Sequence, residues 1–475
     1  MMKSFIEKIF SSRPTSGLAS SKSYPPFYEG YNQSRLPGKS EYACYAPLKN
    51  IYFGHYGKAV ACCYNRFHVL GTYPMQSIYE IWNGEKANEL RTALKNYDFS
   101  HGCLSCLTQI KAGNYDATKA KQYDEQHLNP NGFPSVMEFE LSNTCNLECI
   151  MCSGDFSSLI RKNRENKPPV ESLYDEAFVD QLKPYIPHLQ EVKFYGGEPF
   201  MIPIYYKIWD LLVALNPSIR ISIQTNATML NSRIKDLLEA GNFHINISLD
   251  SVTKEVYEHI RVNAKFDVVM ENVNWFIDYC KRKDTFIGIS ACAMQQNWRD
   301  IPNILAFCTQ RQVQLYLHTV FFPKECAVRN LPANELSKIA QFLNPFLNTI
   351  EVKTPVDKKN KLHYGDFVRQ VNEWGKEVSL NTNKIVINTP TDYLNFIKSK
   401  FEQVHYQQLF NEQRRVNILY KLTQLVNSVP KDFPIGDAMK EVNLEDEFNV
   451  INMINHLESD SFETLAKNIP DQSKD

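Results

Sequence analysis

Three cysteines occur close together in the segment LSNTCNLECIMC, with three and then two residues between them: Cys145, Cys149 and Cys152. Iron–sulfur clusters are held by cysteine thiolates, and ordinary electron-transfer clusters have four of them. Three converging thiolates would leave one iron open to bind another molecule. A structural zinc loop is the alternative, but closed zinc coordination needs a fourth ligand nearby, and none follows in this segment. The spacing therefore favours a cluster that does chemistry.

A second cysteine set lies nearer the N-terminus and supplies four thiols: Cys44, Cys62, Cys103 and Cys106. This set fits an iron–sulfur cluster or a tetrahedral zinc ion, because soft thiolates suit both metals. Cys63 adjoins Cys62 and is either an alternative ligand or a bystander. The set predicts a second metal centre, whose metal the spacing leaves open.

Short β-rich runs alternate with helix-length amphipathic segments from Val136 onward, which is typical of an α/β fold with βα units around a parallel sheet. The predicted strands are 136–141, 191–195, 220–225, 244–249, 286–291 and 314–319, and predicted helices include 201–215, 232–241 and 268–282. Ligands in such sheets lie at the carboxyl ends of the strands. The three-cysteine loop leaves the first predicted strand at that end.

The second predicted strand runs directly into the turn Gly196-Gly197-Glu198-Pro199. Glycines let a backbone approach a ligand closely, and backbone carbonyls together with the Glu198 carboxylate can accept hydrogen bonds from an ammonium group. An ordinary strand-to-helix turn is the alternative when this segment is taken alone.

The three-cysteine loop and the GGEP turn together resemble the radical SAM superfamily over about residues 134–325. In that family the open iron binds the amino and carboxylate groups of S-adenosylmethionine. The resemblance implies a six-stranded partial (βα) barrel and a four-iron four-sulfur cluster. It also implies reductive cleavage of S-adenosylmethionine to a 5′-deoxyadenosyl radical, which abstracts a substrate hydrogen. Met151 stands where the family often has an aromatic residue and would contact adenine, and the GGEP turn would pair with the amino group.

Further positions follow from the same resemblance. Ser248 and Asp250 after the fourth strand, with Arg261 on the next helix, resemble positions that bind the ribose hydroxyls and the methionine carboxylate. For each of them alone, a capping or loop role is equally open. Four more polar residues are placed to line the same mouth: Thr225, Asn226, Gln295 and Asn297.

The N-terminal cysteine module resembles the auxiliary-cluster domains called SPASM, or their shortened form called twitch. The likeness includes the stretch Ile81-Trp82-Asn83, followed by Leu90 and Arg91. The further cysteines of a full SPASM array are absent, which favours one auxiliary cluster over two. The module precedes the radical SAM core, whereas in the family it normally follows it. A structural zinc ribbon is the alternative for this module.

The resemblance implies a radical SAM oxidoreductase that oxidatively modifies a peptide or protein, supplied with electrons by a partner such as flavodoxin or ferredoxin. Action on a small metabolite or carbohydrate is a second possibility. A non-catalytic zinc or iron–sulfur binding protein is an alternative of another class, and the open ligand set argues against it.

The charges of the chain nearly balance, with 52 Lys and Arg against 53 Asp and Glu, so no global field favours nucleic acid or membrane. No apolar run approaches the roughly 20 residues that cross a bilayer, and the N-terminal segment lacks the apolar core of a secretory signal. We therefore expect a cytoplasmic protein without nucleic-acid or membrane contacts. Thiols stay reduced in that compartment, and the four isolated cysteines are interpreted as core side chains: Cys280, Cys292, Cys308 and Cys326.

The expected organisation has four parts joined by a polar connector. It consists of a flexible leader (1–40), the auxiliary-cluster module (41–114), the radical SAM core (134–325) and a mainly helical region of unknown role (330–475).

Overall fold

The computed structural model describes residues 26–380, 389–403, 406–407, 412–428, 450 and 454. Most of the predicted leader and the polar C-terminal tail lie outside these residues. Within them, no helix is both long and apolar enough to cross a membrane.

The N-terminal region consists of short helices and strands followed by two 3-10 turns. Its elements are α1 (Pro26–Gln33), α2 (Ala46–Lys49), β1 (Asn50–Gly54), β2 (Lys58–Val60), β3 (Gly71–Thr72), α3 (Ile78–Asn83), α4 (Glu85–Lys95) and α5 (Leu104–Lys111), with the turns at Tyr115–Ala117 and Lys119–Tyr123.

The central region alternates strands and helices as the sequence predicts. Its elements are β4 (Val136–Glu140), α6 (Ser158–Asn163), α7 (Glu176–Leu182), β5 (Glu191–Phe194), α8 (Pro203–Leu215), β6 (Arg220–Thr225), α9 (Ser232–Ala240), β7 (Phe243–Ser248), α10 (Lys254–Ile260), α11 (Phe266–Lys283), β8 (Ile287–Ala293), α12 (Ile301–Arg311) and β9 (Gln314–Thr319). The α/β prediction is confirmed, and each predicted strand is present.

The C-terminal region is mostly helical in the residues that the structure describes, as predicted. Its helices are α13 (Ala333–Leu343), α14 (Pro355–Leu380), α15 (Pro390–Glu402) and α16 (Glu412–Ser428).

The sheet extends beyond the six predicted strands because the N-terminal module joins it. The strand order is β3-β2-β1-β4-β5-β6-β7-β8-β9. β1 pairs in parallel with β4, from Asn50 opposite Val136 to Gly54 opposite Glu140, and β2 and β3 continue the sheet in antiparallel fashion. The module and the core therefore share one sheet, which the sequence analysis did not predict.

The two faces of the parallel sheet differ in chemistry, since side chains alternate along each strand. One face is apolar and buried against helices, as Phe139 and Ile223 illustrate. The other, here called the inner face, carries polar residues at positions paired across the strands: Glu138, Glu140, Lys193, Ser222, Gln224, Asn246, Ser248, Ser290, Cys292, Tyr316 and His318. Parallel strands packed on both faces read as continuous apolar runs. The alternation therefore marks a face that is available for a polar occupant.

Phe139 on β4 packs against aromatic rings of both the N-terminal module and the core. Its ring centroid lies 6.0 Å from that of Phe53 on β1, 5.9 Å from Phe178 on α7 and 5.5 Å from Phe194 on β5.

Phe139→Ala is expected to lower the free energy of unfolding by about 3–5 kcal/mol, measured by chemical denaturation. Met75→Ala is the control, because Met75 is 84% exposed, and its effect should stay within about 0.5 kcal/mol. Equal effects of the two substitutions would contradict this packing.

Candidate active site

The three-cysteine loop leaves β4 and is anchored to the start of α6. Ser157 is the N-cap of α6, and its hydroxyl also donates to the carbonyl oxygen of Leu147 at 2.7 Å. The backbone N–H of Cys145 donates to the Ser158 hydroxyl at 3.2 Å. The cap thus fixes the loop at two points.

The GGEP turn after β5 packs directly on this loop. The N–H of Gly197 donates to the Ser142 carbonyl at 3.1 Å, and the N–H of Glu198 donates to the Thr144 carbonyl at 2.7 Å. A Cβ on Gly197 would lie 2.1 Å from the Thr144 oxygen, and Gly196 has φ of +122°. Both positions therefore require glycine, here for close approach to the cysteine loop.

Glu198 joins the ends of β5 and β6. Its buried carboxylate accepts hydrogen bonds from the Thr225 hydroxyl at 2.8 Å and from the Asn226 N–H at 2.7 Å. Burial raises the pKa of Glu198 to about 7, although these hydrogen bonds lower it. Pro199 is buried and begins a 3-10 turn.

Asn226 continues from β6 to the cysteines. Its Nδ2 donates to the Asn146 side-chain oxygen at 3.1 Å and lies 3.9 Å from the Cys145 Sγ. The Asn146 Nδ2 donates in turn to the Thr228 hydroxyl at 2.8 Å. The residues that follow β6 therefore support the cysteine loop in addition to the contacts made by the start of α6.

A buried ion pair lies beside the second cysteine. Arg261 Nη2 is 2.8 Å from Asp250 Oδ2, and Arg261 Nη1 is 4.0 Å from Cys149 Sγ. Burial lowers the pKa of Arg261, but the negative charges of Asp250 and Cys149 outweigh this effect, so the pKa is raised overall. The buried Arg261 Nε has no hydrogen-bond partner within the protein. A buried donor of this kind calls for an acceptor, as a bound carboxylate would be.

Ser248 and Met151, the residues expected to contact the ribose and the adenine, lie in different surroundings. Ser248 is half-buried on the inner face, and its hydroxyl accepts from Gln224 Nε2 at 2.6 Å. Met151 is half-buried and packs against a small apolar cluster that includes Ile260, Met294 and Val320. The structure thus places Met151 beside an apolar patch and Ser248 within a polar network.

Cys149 is buried, Cys145 and Cys152 are half-buried, and the three thiols lie within electrostatic reach of one another. Burial raises the pKa of Cys145 to about 12 and that of Cys152 to about 11. Burial also raises the pKa of Cys149, while the nearby Arg261 lowers it. Metal ligation requires thiolates, so loading a metal here must release protons.

Cys292 differs from the other isolated cysteines. Cys280 and Cys308 lie in the core as predicted, and Cys326 is buried in the small apolar cluster. Cys292 is half-buried on the inner face, its N–H donates to Asp250 Oδ1 at 2.7 Å, and the charges of Cys149 and Cys152 act on it. Cys292 packs against the same small apolar cluster as Cys326, and the strand register also places it on the inner face.

Two polar residues expected to line the mouth bind the protein instead. Asn297 is buried, and its Nδ2 donates to the Asp250 carbonyl at 2.6 Å. Gln295 donates to the Ala327 carbonyl at 2.9 Å. Both therefore hold loop backbone.

The four N-terminal cysteines line one cavity: Cys44, Cys62, Cys103 and Cys106. We call it the auxiliary cavity. Asn65 also lines it and donates from Nδ2 to the Cys103 sulfur at 3.2 Å. Hydrogen bonds to sulfur tune iron–sulfur clusters. The only sequence signal for Asn65 is its nearness to Cys62. Cys63 is not among the residues that line the cavity.

The auxiliary cavity suits a group that binds thiolates. Burial raises the pKa of Cys44 to about 12 and that of Cys106 to about 11. Burial likewise raises the pKa of Cys62 and Cys103, and the charges of the other cysteines add to it. Four such thiols around one cavity match the donor set of an iron–sulfur cluster. Among the described residues, no three His, Cys, Asp or Glu side chains converge on a single metal-ion position.

Two family models match the chain. Residues 139–308 match the radical SAM superfamily, and residues 44–107 match an iron–sulfur cluster-binding domain, SPASM. These matches imply four-iron four-sulfur clusters and S-adenosylmethionine as the cofactors. The domain boundaries given above stay predictions.

Curated relatives match about a third of the chain. The probable GTP 3′,8-cyclase of Methanocella arvoryzae is 30% identical over 143 residues, which cover 30% of this chain and 42% of the relative. That of Halobacterium salinarum is 24% identical over 150 residues, 30% of this chain and 39% of the relative. The chain thus spans about two fifths of the length of these relatives.

Solved structures resemble the chain weakly. The structure of anSMEcpe with bound AdoMet has a TM-score of 0.35 and 18% identity, covering 45% of this chain and 57% of that one. Streptococcus suis SuiB bound to S-adenosylmethionine has a TM-score of 0.34 and 15% identity, covering 58% of this chain and 63% of that one.

Gly197→Ala tests the contact between the GGEP turn and the cysteine loop. The added Cβ would meet backbone atoms of residues 143 and 144, so we expect the loop to shift and iron retention by this cysteine set to fall. The measurement is iron content after anaerobic reconstitution of a variant that lacks the four auxiliary cysteines. Gly54→Ala is the control, since its Cβ would meet its nearest neighbour at 3.6 Å. Unchanged iron in Gly197→Ala would show that the contact is dispensable.

Glu198→Gln tests the buried carboxylate through pH. A folded pKa of about 7 exceeds the unfolded value of about 4.3, so the stability that protonated Glu198 contributes is complete below about pH 4.3 and is lost as pH rises through 7. Between pH 5 and 8, the free energy of unfolding of Glu198→Gln should therefore rise relative to that of the wild type by up to about 3 kcal/mol. The measurement is chemical denaturation of the metal-free protein.

Glu140→Gln is the matched control for this titration. Burial raises the pKa of Glu140, but hydrogen bonds from His55, Arg66 and Tyr52 lower it to about 2. Its stabilising ionised form is complete above the unfolded pKa and is lost only as pH falls toward 2. Glu140→Gln should therefore destabilise by an amount that does not change between pH 5 and 8. Parallel pH profiles for the two variants would refute the assignment of Glu198.

Proposed function

We propose that this chain, which carries a radical SAM domain at residues 139–308 and a SPASM domain at residues 44–107, is an enzyme that oxidatively modifies a peptide or protein. Cys145, Cys149 and Cys152 would hold the cluster that binds S-adenosylmethionine. The auxiliary cavity would hold a second cluster.

One observation carries the catalytic proposal: two strand ends and one helix end converge on the cysteine loop. The turns after β5 and β6 bond to it through Glu198 and Asn226, and Arg261, which follows α10, lies beside Cys149. A structural zinc loop needs no such surroundings. An adjacent buried guanidinium with a free Nε instead suits a ligand carboxylate.

The residues of this chain would bind and orient the cofactor. When bound, the cluster and S-adenosylmethionine supply the hydrogen-atom abstraction that the family performs. Arg261 would pair with the methionine carboxylate, the GGEP turn with its amino group, and Met151 would contact adenine. Ser248 and Asp250 would face the ribose.

The second metal centre supports oxidation as the outcome. Hydrogen abstraction removes one electron from the substrate, and a closed-shell product requires the loss of another. Four cysteines around the auxiliary cavity supply a place for the acceptor. The peptide substrate rests on the association of SPASM domains with peptide modification, which is an argument from family likeness.

A small-molecule substrate is the second candidate. The curated relatives are named GTP 3′,8-cyclases, and the polar inner face suits a ligand rich in hydrogen-bonding groups. The match to those relatives covers 30% of this chain and leaves the substrate open.

Cysteine substitutions test the proposed cluster. After anaerobic reconstitution and reduction with dithionite, the wild type should form 5′-deoxyadenosine from S-adenosylmethionine. Alanine at Cys145, Cys149 or Cys152 should abolish this product, because each removes a thiolate from the cluster. Cys280→Ala and Cys308→Ala control for the loss of a buried thiol outside the site, and they should retain activity. Zinc in place of iron, with no 5′-deoxyadenosine, would support the non-catalytic alternative.

The substrate class is tested by what stimulates the reaction. Short peptides encoded beside the gene for this chain are compared with GTP as additions to the reconstituted enzyme. The proposal predicts faster 5′-deoxyadenosine formation with a peptide and loss of two hydrogens from it, read by mass spectrometry. Stimulation by GTP alone would favour the second candidate.

A further inference from the structure

Side-chain hydrogen bonds cross the inner face from β6 to β9. Ser248 accepts from Gln224 Nε2 at 2.6 Å, and Gln224 Oε1 accepts from Asn246 Nδ2 at 2.7 Å. Asn246 Nδ2 also donates to the Ser290 hydroxyl at 2.8 Å, which lies 3.2 Å from His318 Nε2. The chain of contacts begins at a proposed ribose contact and ends at an imidazole.

His318 lies near the carboxyl end of β9, opposite Cys292 on β8. Its side chain is exposed, in contrast to most of the residues around it. The Ser290 contact occupies one ring nitrogen, Nε2, and leaves the Nδ1 side for another partner. The imidazole is therefore held in place and accessible.

Protein groups from three regions act on His318. They are Asp250 after β7, His363 on α14 and Lys119 in the connector. Desolvation lowers the pKa of His318, the positive charges of His363 and Lys119 lower it further, and Asp250 opposes them. A neutral imidazole near neutral pH is able to accept a proton.

Lys119 connects this position with the second metal centre. It lines the auxiliary cavity, and its charge also acts on His318. The imidazole and the auxiliary cavity thus lie within electrostatic range of one residue. A group that takes a proton and a group that takes an electron would serve the same substrate from these positions.

The acidic groups of the same face are buried and interact with other protein groups. Glu138 is fully buried and accepts from Asn50 at 2.8 Å. Glu140 accepts from the Tyr52 hydroxyl at 2.6 Å and pairs with Arg66. Asp250 pairs with Arg261. His318 differs from these carboxylates because it is exposed, whereas all three carboxylates are buried.

We propose that His318 is a catalytic residue that accepts, at Nδ1, the proton that the substrate releases when its radical is oxidised. The inference rests on the proposed function. One substrate C–H bond breaks as its hydrogen atom passes to the 5′-deoxyadenosyl group, which gives 5′-deoxyadenosine. A neighbouring O–H, N–H, S–H or C–H bond of the substrate then breaks: its proton goes to His318, and the electron left over goes to an oxidised iron–sulfur cluster in the auxiliary cavity. The two substrate atoms form the new bond.

Diethyl pyrocarbonate tests the state of His318 without any substrate. The reagent acylates neutral, accessible imidazole, and peptide mass spectrometry reads the rate at residue 318 in the reconstituted full chain. For an ordinary imidazole with a pKa of about 6.5, the neutral fraction rises about fourfold between pH 6 and 8. Because the pKa of His318 is lowered, we expect its acylation rate to rise less than fourfold, with N-acetylhistidine in the same tube as a check on the reagent. An unreactive His318, or a rise of fourfold or more, would overturn the proposal.

His318→Asn tests the catalytic step. It should keep the iron content and substrate-independent 5′-deoxyadenosine formation of the wild type, and it should still take hydrogen from the substrate. Oxidised product should fall by about 100-fold, the usual scale for loss of a general base, and the product rate should lose its dependence on a basic group in the pH profile. His127→Asn, at an exposed histidine away from the inner face, is the control and should behave as the wild type.

The outcomes separate the two proposals. If the wild type does not cleave S-adenosylmethionine, the proposed function fails, whatever the acylation of residue 318. If the wild type turns over and His318→Asn forms oxidised product at an unchanged rate, the proposed function stands and the role of His318 is refuted.

Discussion

The candidate site depends on a close backbone contact between two strand-end turns. The GGEP turn donates two backbone hydrogen bonds to the cysteine loop, and Gly197 leaves no room for a side chain against Thr144. Backbone bonds set positions more firmly than flexible side chains, because no rotamer entropy has to be lost to form them. The loop that presents Cys145, Cys149 and Cys152 is thereby fixed to the sheet. Every further contact with a cofactor depends on that fixed position.

Burial gives this arrangement an electrostatic cost. The three thiols are protonated when no metal is present, since burial raises the pKa of each. Arg261 offsets part of the cost of negative charge at Cys149, and Asp250 in turn holds Arg261. Removing Asp250 would leave a buried guanidinium without a countercharge. The pair therefore keeps a positive group beside the cluster ligands whether or not a cofactor is bound.

Sequence patterns predicted the parallel strands well, because alternation of Ile with polar residues leaves little freedom of register in segments such as RISIQT. They did not predict that β1 joins β4. β1 is a five-residue run in a cysteine-rich module, and local composition does not specify a partner strand so distant in the chain. The full surroundings of Cys292 required the fold for a related reason: a cysteine between two alanines reads as apolar, and only strand register shows that it shares the inner face with His318. Glu198 was singled out by its motif, but its bonds to β6 required the fold.

The shared sheet also changes how the unusual domain order should be understood. In the chain, the SPASM module precedes the radical SAM core. In space, parallel pairing sets β1 beside β4 with both strands running in the same direction, so their carboxyl ends lie at the same edge of the sheet. The cysteine loop leaves β4 at that edge, whereas Cys44 precedes β1 and Cys62 follows β2. Because strand pairing, and not a flexible linker, relates the two cysteine sets, their separation is fixed by the register of one ladder. The register, and not the order of the segments in the chain, therefore sets the distance between an auxiliary cluster and the inner face. Lys119 lines the auxiliary cavity, and its charge also acts on His318.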